Sequence, residues 1–246
     1  MEGGESQFMK LFNMQRLSFG AICPAGDVNF PPRAEATGHL DIDGDMPRIC
    51  RRAGLEPGRV AIDIGAFVGD TAVAMAEFGA EVYAFEPFFD SFVAAQFNTQ
   101  VWWKAGQQGR PRIHVHNAPV GNGERVKLVF ECPGPNYGMR SVRDTTERDC
   151  ITTFRIDSLE LPAVRLMKID CEGFEIRALK GAAETIKRCR PYLYIEHYVD
   201  ALRAAGHTPE ELVDTIKGMG YSLEMIGEPP RWDWFCTPIE NRMVLV

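Results

Sequence analysis

The sequence predicts an open, doubly wound α/β sheet, mostly parallel with an antiparallel last strand, preceded by an N-terminal extension. Three observations predict it. From residue 60 onward, apolar runs of strand length alternate with segments of helical period. The first run, Val60-Ala61-Ile62-Asp63-Ile64, carries an acid near its end and passes through Gly65 and Gly69 into a helix start. The next, Val82-Tyr83-Ala84-Phe85, ends on Glu86-Pro87, which places an acid 21 positions after Gly65. That is the spacing at which a nucleotide-binding sheet offers a carboxylate to a ribose.

Taken in order, residues 1–58 form the extension and 59–246 the sheet domain. In the extension Phe8, Leu11, Phe12 and residues 15–17 make a short helical stripe that Ser6 could cap. Pro24, Pro31 and Pro32 then break the chain, and a second short helix spans 47–53 between Asp45 and Gly54. The segment either lies over the pocket or is a packing appendage. Strands are expected at 60–64, 81–86, 112–117, 165–169, 191–196, 221–226 and 241–246. A helix over 72–78 follows the first strand, with Asp70 or Thr71 as its cap. The β-like runs 126–130 and 151–156 flank a polar loop and read as an inserted hairpin. The last two strands, joined through 227–230 and the Trp232/Trp234 segment, supply the antiparallel ending. Asp41-Ile42-Asp43-Gly44-Asp45 begins like a calcium loop, but Met46 and Arg52 stand where glycine and a bidentate glutamate are required.

Composition narrows the class. At 246 residues and 45% hydrophobic, the chain can bury a substantial core. A formal charge of −7 argues against a long phosphate-backbone footprint, and so against nucleic acid as a partner. The seven cysteines are scattered and never spaced C-x-x-C, which favours reduced thiols in a cytoplasm over a disulfide framework or zinc site. No export signal or membrane-length apolar run is visible.

The glycine loop separates cofactor classes. Asp63 precedes G-A-F-V-G, with no G-x-G-x-x-G to admit a pyrophosphate. A carboxylate there repels a diphosphate and suits a cofactor with an ammonium group, such as S-adenosylmethionine. An ordinary strand-turn-helix would explain the loop alone, and Glu86 at its spacing tips the reading to a cofactor site.

An ordered set of motifs then carries a family resemblance. Asp63-Ile64-Gly65-x-x-x-Gly69-Asp70, Phe85-Glu86-Pro87, Arg155-Ile156-Asp157-Ser158-Leu159 and Lys168-Ile169-Asp170-Cys171-Glu172-Gly173-Phe174-Glu175, followed by Leu179-Lys180-Gly181-Ala182, resemble the FkbM family of S-adenosylmethionine-dependent methyltransferases, over roughly residues 60 to 200. The resemblance implies a class I methyltransferase (Rossmann-like) fold, S-adenosyl-L-methionine as cofactor, and O-methylation of hydroxyl groups on sugars and natural products.

Ligands of open α/β sheets bind at the carboxyl ends of the strands. On the first tip, Gly65, Ala66, Gly69, Asp70 and Thr71 form the cofactor loop, and Asp63 helps to fix the cofactor's amino-acid end. Glu86, followed by Pro87, takes the ribose. Asn117-Ala118 resembles the adenine-contacting position, with asparagine for the more usual aspartate. On the fourth tip Lys168 and Asp170 share a strand face. The functional reading sets Asp170 beside the methionine moiety or acceptor hydroxyl with Lys168 tuning its charge; the bland one is a self-neutralising buried pair. No further metal ligand is evident beside Asp170 and Glu172, so no metal is expected. On the fifth tip His197 is a candidate base, against the alternative of a capping residue. His114 and His116 read as ordinary strand residues. Gly134, Asn136, Tyr137, Arg140 and Ser141 lie in the inserted loop, either near the acceptor or solvated.

The residues after the fourth strand also bear on the acceptor. Asp170-Cys171-Glu172-Gly173 stands where amino-methylating nucleic-acid enzymes carry N-P-P-Y or D-P-P-Y and pyrimidine-carbon methylases carry Pro-Cys. Oxygen is the better acceptor. The expectation is therefore a cytoplasmic O-methyltransferase acting on a hydroxyl of a sugar or small metabolite. Methylation of a macromolecule, and a non-catalytic binding module on the same fold, are the competing readings. The motifs encode neither the acceptor's identity nor the oligomeric state.

Overall fold

The computed structural model describes residues 2–40, 44–105, 109, 111–130, 136–228 and 231–240. The extension opens with helix α1 (Glu2–Leu11), then the antiparallel pair β1 (Met14–Arg16) and β2 (Ile22–Pro24), α2 (Phe30–Thr37) and α3 (Met46–Ala53). Three details differ from the sequence reading. Ser6 lies inside α1 rather than at its cap, and Asn13 in the left-handed region (φ 51°) ends that helix, so residues 15 and 16 continue as strand. Pro31 and Pro32 do not break the chain. They stand in the first turn of α2, where a missing N–H costs nothing and the fixed φ suits a helix. The helix expected at 47–53 is present as α3, with Asp45 before it and Gly54 in left-handed conformation after it. Residues 41–43 of the calcium-like stretch lie outside the described residues.

The sheet domain runs β3 (Val60–Ile64), α4 (Asp70–Glu77), β4 (Glu81–Phe85), α5 (Phe89–Ala105) and β5 (Ile113–His116). An insertion follows, with β6 (Arg125–Val129), β7 (Ser141–Asp144) and β8 (Ile151–Thr152). The chain returns through β9 (Leu166–Ile169), α6 (Glu175–Gly181), α7 (Ala183–Cys189), β10 (Tyr192–Glu196), α8 (Val199–Ala204), α9 (Pro209–Gly218), β11 (Tyr221–Glu228) and β12 (Arg231–Pro238). The seven-stranded order is β11-β12-β10-β9-β3-β4-β5, antiparallel only where β12 meets β10 and β11. Strand order reverses between β3 and β9, the switch point at which such sheets bind ligands.

Alternation along the strands builds two cores. Ile62, Ile64, Met167, Ile169, Leu193 and Ile195 face α6, α7, α8 and α9. Ala61, Val82, Ala84, Leu166 and Tyr194 face α3 and α4, and the alanines of strand and helix let α4 lie close to the sheet. A third core joins the extension to the sheet domain: Met14, Leu17, Ile22, Phe30 and Ala34 pack with Val68 of the glycine loop and Ala94 of α5. The extension is thus packed onto the loop itself.

The expected insertion hairpin is a three-stranded sheet in the order β7-β6-β8, because residues 141–144 pair with β6 on the side away from β8. The sequence also misplaced the last strand. It is 231–238, the aromatic segment read as a connection, pairing in register with β10 and β11. Residues 241–246 lie outside the described residues.

Candidate active site

A cavity of about 570 Å³ opens at the carboxyl ends of β3, β4, β9 and β10. At its floor the chain leaves β3 through Gly65, whose φ is 82°. A Cβ there would sit 1.7 Å from the Asp170 carbonyl oxygen, so only glycine lets β3 and β9 end side by side. The Gly65 and Ala66 N–H groups both donate to Phe85 O at 3.0 Å. Phe67 is left-handed (φ 45°) and aims its N–H at Glu86 Oε2, 2.9 Å away. Gly69, also left-handed, is the N-cap residue of α4, one position ahead of Asp70. Thr71 donates its hydroxyl to Asp63 Oδ2 at 2.5 Å.

Glu86 lines the cavity and is 5% exposed. Its Oε1 accepts from Phe88 N (2.8 Å) and its Oε2 from Phe67 N. Burial pushes its pKa up to about 8, against the Phe88 and Phe67 N–H groups and the Arg140 charge. Each oxygen keeps a lone pair for a ligand hydroxyl.

Asp63 does not face the cavity. It is fully buried, held between Thr71 and the Lys168 ammonium at 3.5 Å, and its pKa is raised by burial against the Lys168 charge. Lys168 also reaches Asp170 Oδ2 (3.1 Å) and donates to Gly65 O (3.1 Å). Burial alone would lower its pKa; Asp170, Asp63 and Asp70 overcome that and hold it above the usual lysine value. Lys168 therefore ties the loop of β3 to the tip of β9.

Of the other residues expected at the cofactor, Gly65, Asp70, Thr71, Pro87, Ala118 and Asp170 line the cavity. Ala66 and Gly69 shape the loop from behind. Asn117 is not among the residues lining the cavity: its amide nitrogen donates to Glu86 O (2.9 Å) and Pro87 O (3.0 Å), fixing the turn that carries Glu86, and these bonds do not use Oδ1, the atom read as the adenine acceptor. Asn136, Tyr137, Arg140 and Ser141 of the insertion reach the cavity, while Gly134 lies outside the described residues. His197 lines the cavity next to Tyr198. Its Nδ1 is buried without a hydrogen-bond partner, and burial lowers its pKa.

Two acids were missed. Asp170, Glu196 and Asp233 stand abreast at the ends of β9, β10 and β12, since Ile169 pairs with Ile195 and Glu196 with Asp233. Placing the parallel tips side by side would have found Glu196; Asp233 required the correct last strand. Glu196 is held well above the usual glutamate value by burial and by the Asp170 and Glu172 carboxylates. Asp233 accepts from the Tyr194 hydroxyl at 2.5 Å, and burial pushes it up to about 6. Glu196 also adds a third carboxylate to the two read beside β9: oxygens of Asp170, Glu172 and Glu196 lie within 4.8 Å of one another, a donor set hard enough for a divalent cation.

The extension roofs the same space. Asn29, Phe30 and Arg33 line it, and Phe30 meets the Phe67 ring edge-on at 5.4 Å between centroids. Asp27, 2% exposed, accepts from Asn29 N and Phe30 N and, across the cavity, from Tyr137 N of the insertion, each at 2.8 Å. Arg140 (6% exposed) anchors that insertion to α5 through Asp90 (2.9 Å) and Ser91 (2.6 Å).

The model of the methyltransferase FkbM domain matches residues 63–223. The chain belongs to this family. S-adenosylmethionine is the family's methyl donor, and the strand order is that of class I methyltransferases. Among solved structures, this FkbM domain is similar to the methyltransferase FkbM from Methylobacillus flagellatus KT, at 21% identity and TM-score 0.52, over 77% of this chain and 47% of that one. It therefore spans about half of that protein. It is also similar to a putative rRNA-methylase from Clostridium thermocellum (9% identity, TM-score 0.51, 78% of this chain and 93% of that one). An rRNA methylase from Streptococcus thermophilus matches to the same extent, at 11% identity and TM-score 0.50. No curated protein matches the sequence. Among the described residues no helix is long and apolar enough to cross a membrane.

Proposed function

We propose that this FkbM domain transfers a methyl group from S-adenosylmethionine to a hydroxyl of a sugar or other small metabolite. The observation that carries the reading is the convergence of the Gly65 loop, Glu86, Asp170 and His197 on one roofed cavity at the sheet's switch point. The residues fit the cofactor: Gly65, Asp70 and Thr71 of the glycine loop line the cavity, and Glu86 presents a buried carboxylate with lone pairs to spare. When bound, S-adenosylmethionine supplies an already activated methyl group. Glu86 would hold the ribose hydroxyls, the wall at Ala118 the adenine, and Asp170 with the 65–71 loop the amino-acid end. Asp63 would act through Lys168 and Thr71 rather than by contact.

What remains for the protein is to orient the acceptor, exclude water and take a proton. The roof of Phe30, Tyr137 and Arg140 excludes water. His197, kept neutral by burial, is in the form that accepts a proton from an attacking hydroxyl. Positioning can supply several kcal/mol and a base typically about 10²- to 10⁴-fold. Among the described residues no cysteine is disulfide-bonded, as reduced thiols in a cytoplasm would be. A nucleic-acid acceptor, which the printed names of two structural neighbours raise, fits less well because the mouth beyond Asp170 is lined by carboxylates that repel phosphate.

Calorimetric titration with S-adenosylmethionine, S-adenosylhomocysteine and NAD tests the reading. Saturable binding of the two sulfur nucleotides alone is expected, with Glu86→Ala losing it. A Glu86→Ala protein that binds both as tightly as the parent would remove Glu86 from the ribose. Methyl transfer to hydroxyl-bearing acceptors, with the methylated atom located by NMR, tests the oxygen assignment.

A further inference from the structure

The acceptor end of the cavity has an unusual balance of charge. Asp170, Glu196 and Asp233 form a row across three adjacent strands; Glu172 extends it on one side and Asp45, ahead of α3, on the other. Lys168 meets the inner end and Arg48, 2.8 Å from Asp45, the outer one, which leaves Glu196 and Asp233 in the middle. Lys168 donates to Gly65 O and lies 3.1 Å from Asp170 and 3.5 Å from Asp63, and among the described residues it forms no ion pair with Glu196 or Asp233. Asp233 has a neutral donor, the Tyr194 hydroxyl. Glu196 Oε2 is buried and has no hydrogen-bond partner. Half-buried carboxylates in such a row repel one another unless a positive charge meets them. The rings of Tyr198 and Trp232 line the same space.

We propose that the acceptor carries a protonated amine close to the hydroxyl that is methylated, an amino sugar or amino alcohol whose ammonium sits between Glu196 and Asp233. The inference rests on the O-methylation reading and narrows its substrate class. An ammonium has three donors to share among carboxylates of neighbouring strands, and the flanking rings suit an organic cation or a sugar face. A divalent ion would draw on Asp170, Glu172 and Glu196 but would leave the rings and Asp233 without a role, and the Lys168 ammonium 3.1 Å from Asp170 would repel it. Because a protonated nitrogen has no lone pair, holding it as ammonium also directs methylation to the neighbouring oxygen. Sugar phosphates and uronic acids are excluded by the same charge.

The experiment uses the full chain saturated with S-adenosylhomocysteine and titrated with glucosamine, galactosamine, their N-acetyl forms, glucose 6-phosphate and magnesium chloride. Free-amine sugars are expected to bind roughly 10- to 100-fold more tightly than their N-acetyl forms, the worth of a charge-assisted contact. Glu196→Gln should erase that preference, with Asp233→Asn as a second reporter should Glu196→Gln fail to fold. Equal binding of free and N-acetylated sugars, preference for the phosphate, or no sugar binding by protein that holds S-adenosylhomocysteine would each overturn the proposal. Glu196-dependent binding of magnesium without any amine preference would overturn it in favour of a metal site. Failure to bind S-adenosylhomocysteine would instead strike the underlying transferase reading. Methylation found on nitrogen would refute both the oxygen acceptor and the ammonium.

Discussion

Lys168→Met is the sharpest probe of the site, because the ion pairs of Lys168 are among the most deeply buried described here. The lysine side chain is 8% exposed and that of Asp63 0%, at 3.5 Å. Methionine keeps the volume and removes the charge, leaving the buried Asp63 with only the Thr71 hydroxyl to satisfy it. Removing one partner of a buried pair costs about 3–5 kcal/mol. For a chain of this size, at about 2–4 °C per kcal/mol, Tm should fall by about 6–20 °C. The sign with pH follows from linkage. The pKa of Lys168 is raised in the folded state, so its stabilisation is complete below the unfolded lysine pKa and is lost only as pH rises through the folded value. At neutral pH the parent keeps all of it. In the variant, Asp63 loses the charge that opposed its burial, so its folded pKa rises further. The variant therefore loses stability progressively as pH climbs above about 4, where Asp63 ionises in the unfolded chain. Thermal scans of both proteins from pH 4 to 8 should show the Tm gap widen with pH. A gap under about 2 °C, or one that does not change with pH, would refute the argument and show that water reaches Asp63.

Three further outcomes follow from the geometry. Gly65→Ala should cost about 2–4 kcal/mol, since the added Cβ meets a backbone carbonyl at 1.7 Å at positive φ; denaturant unfolding reads the stability and calorimetry the parallel loss of S-adenosylmethionine binding. Asp27→Ala strands three N–H groups and unlatches the extension from Tyr137, costing about 2–4 kcal/mol in urea unfolding; unchanged resistance to protease at residues 20–40 would show that the latch does not hold the roof. His197→Ala should lower turnover about 10²-fold or more once an acceptor is found, and a variant whose rate matches the parent across pH 5–8 removes His197 as the base.

The parts of the site that depend on local chain chemistry were legible in the sequence. The Gly65 turn, the spacing to Glu86, and the helix between Asp45 and Gly54 are each set by residues close together, and each is where the sequence reading placed it. What failed depended on partners far along the chain. A proline pair reads equally as a break or as a helix start until the direction of the following turn is known, and Pro31-Pro32 is the start. Residues 231–238, following Pro229-Pro230, read as a connection, and only the register with β10 gives the aromatic segment its place. With that strand misplaced, Asp233 could not reach the site, and the carboxylate row shrank to one pair. Asn117 shows what a strand-tip position leaves open: its amide nitrogen braces the Glu86 turn through two carbonyls, a partnership no local pattern announces.

The roof of the cavity has a consequence for the order in which the molecule assembles and comes apart. Asn98 of α5 holds both the N–H and the carbonyl of Ile22, 76 residues away, and also the carbonyl of Val68 in the glycine loop. Asp27 reaches Tyr137 across 110 residues. Contacts of such separation repay their loop-closure entropy late, after the β3–α4–β4–α5 unit exists to receive them. The pocket is then the last region to form and the first to open, and its amide hydrogens should exchange through local opening while β3 and β9 exchange only on global unfolding. A bound nucleotide would slow exchange most in residues 20–37, far from it in sequence, so that the chain's first forty residues report occupancy of a site built by the next hundred and fifty.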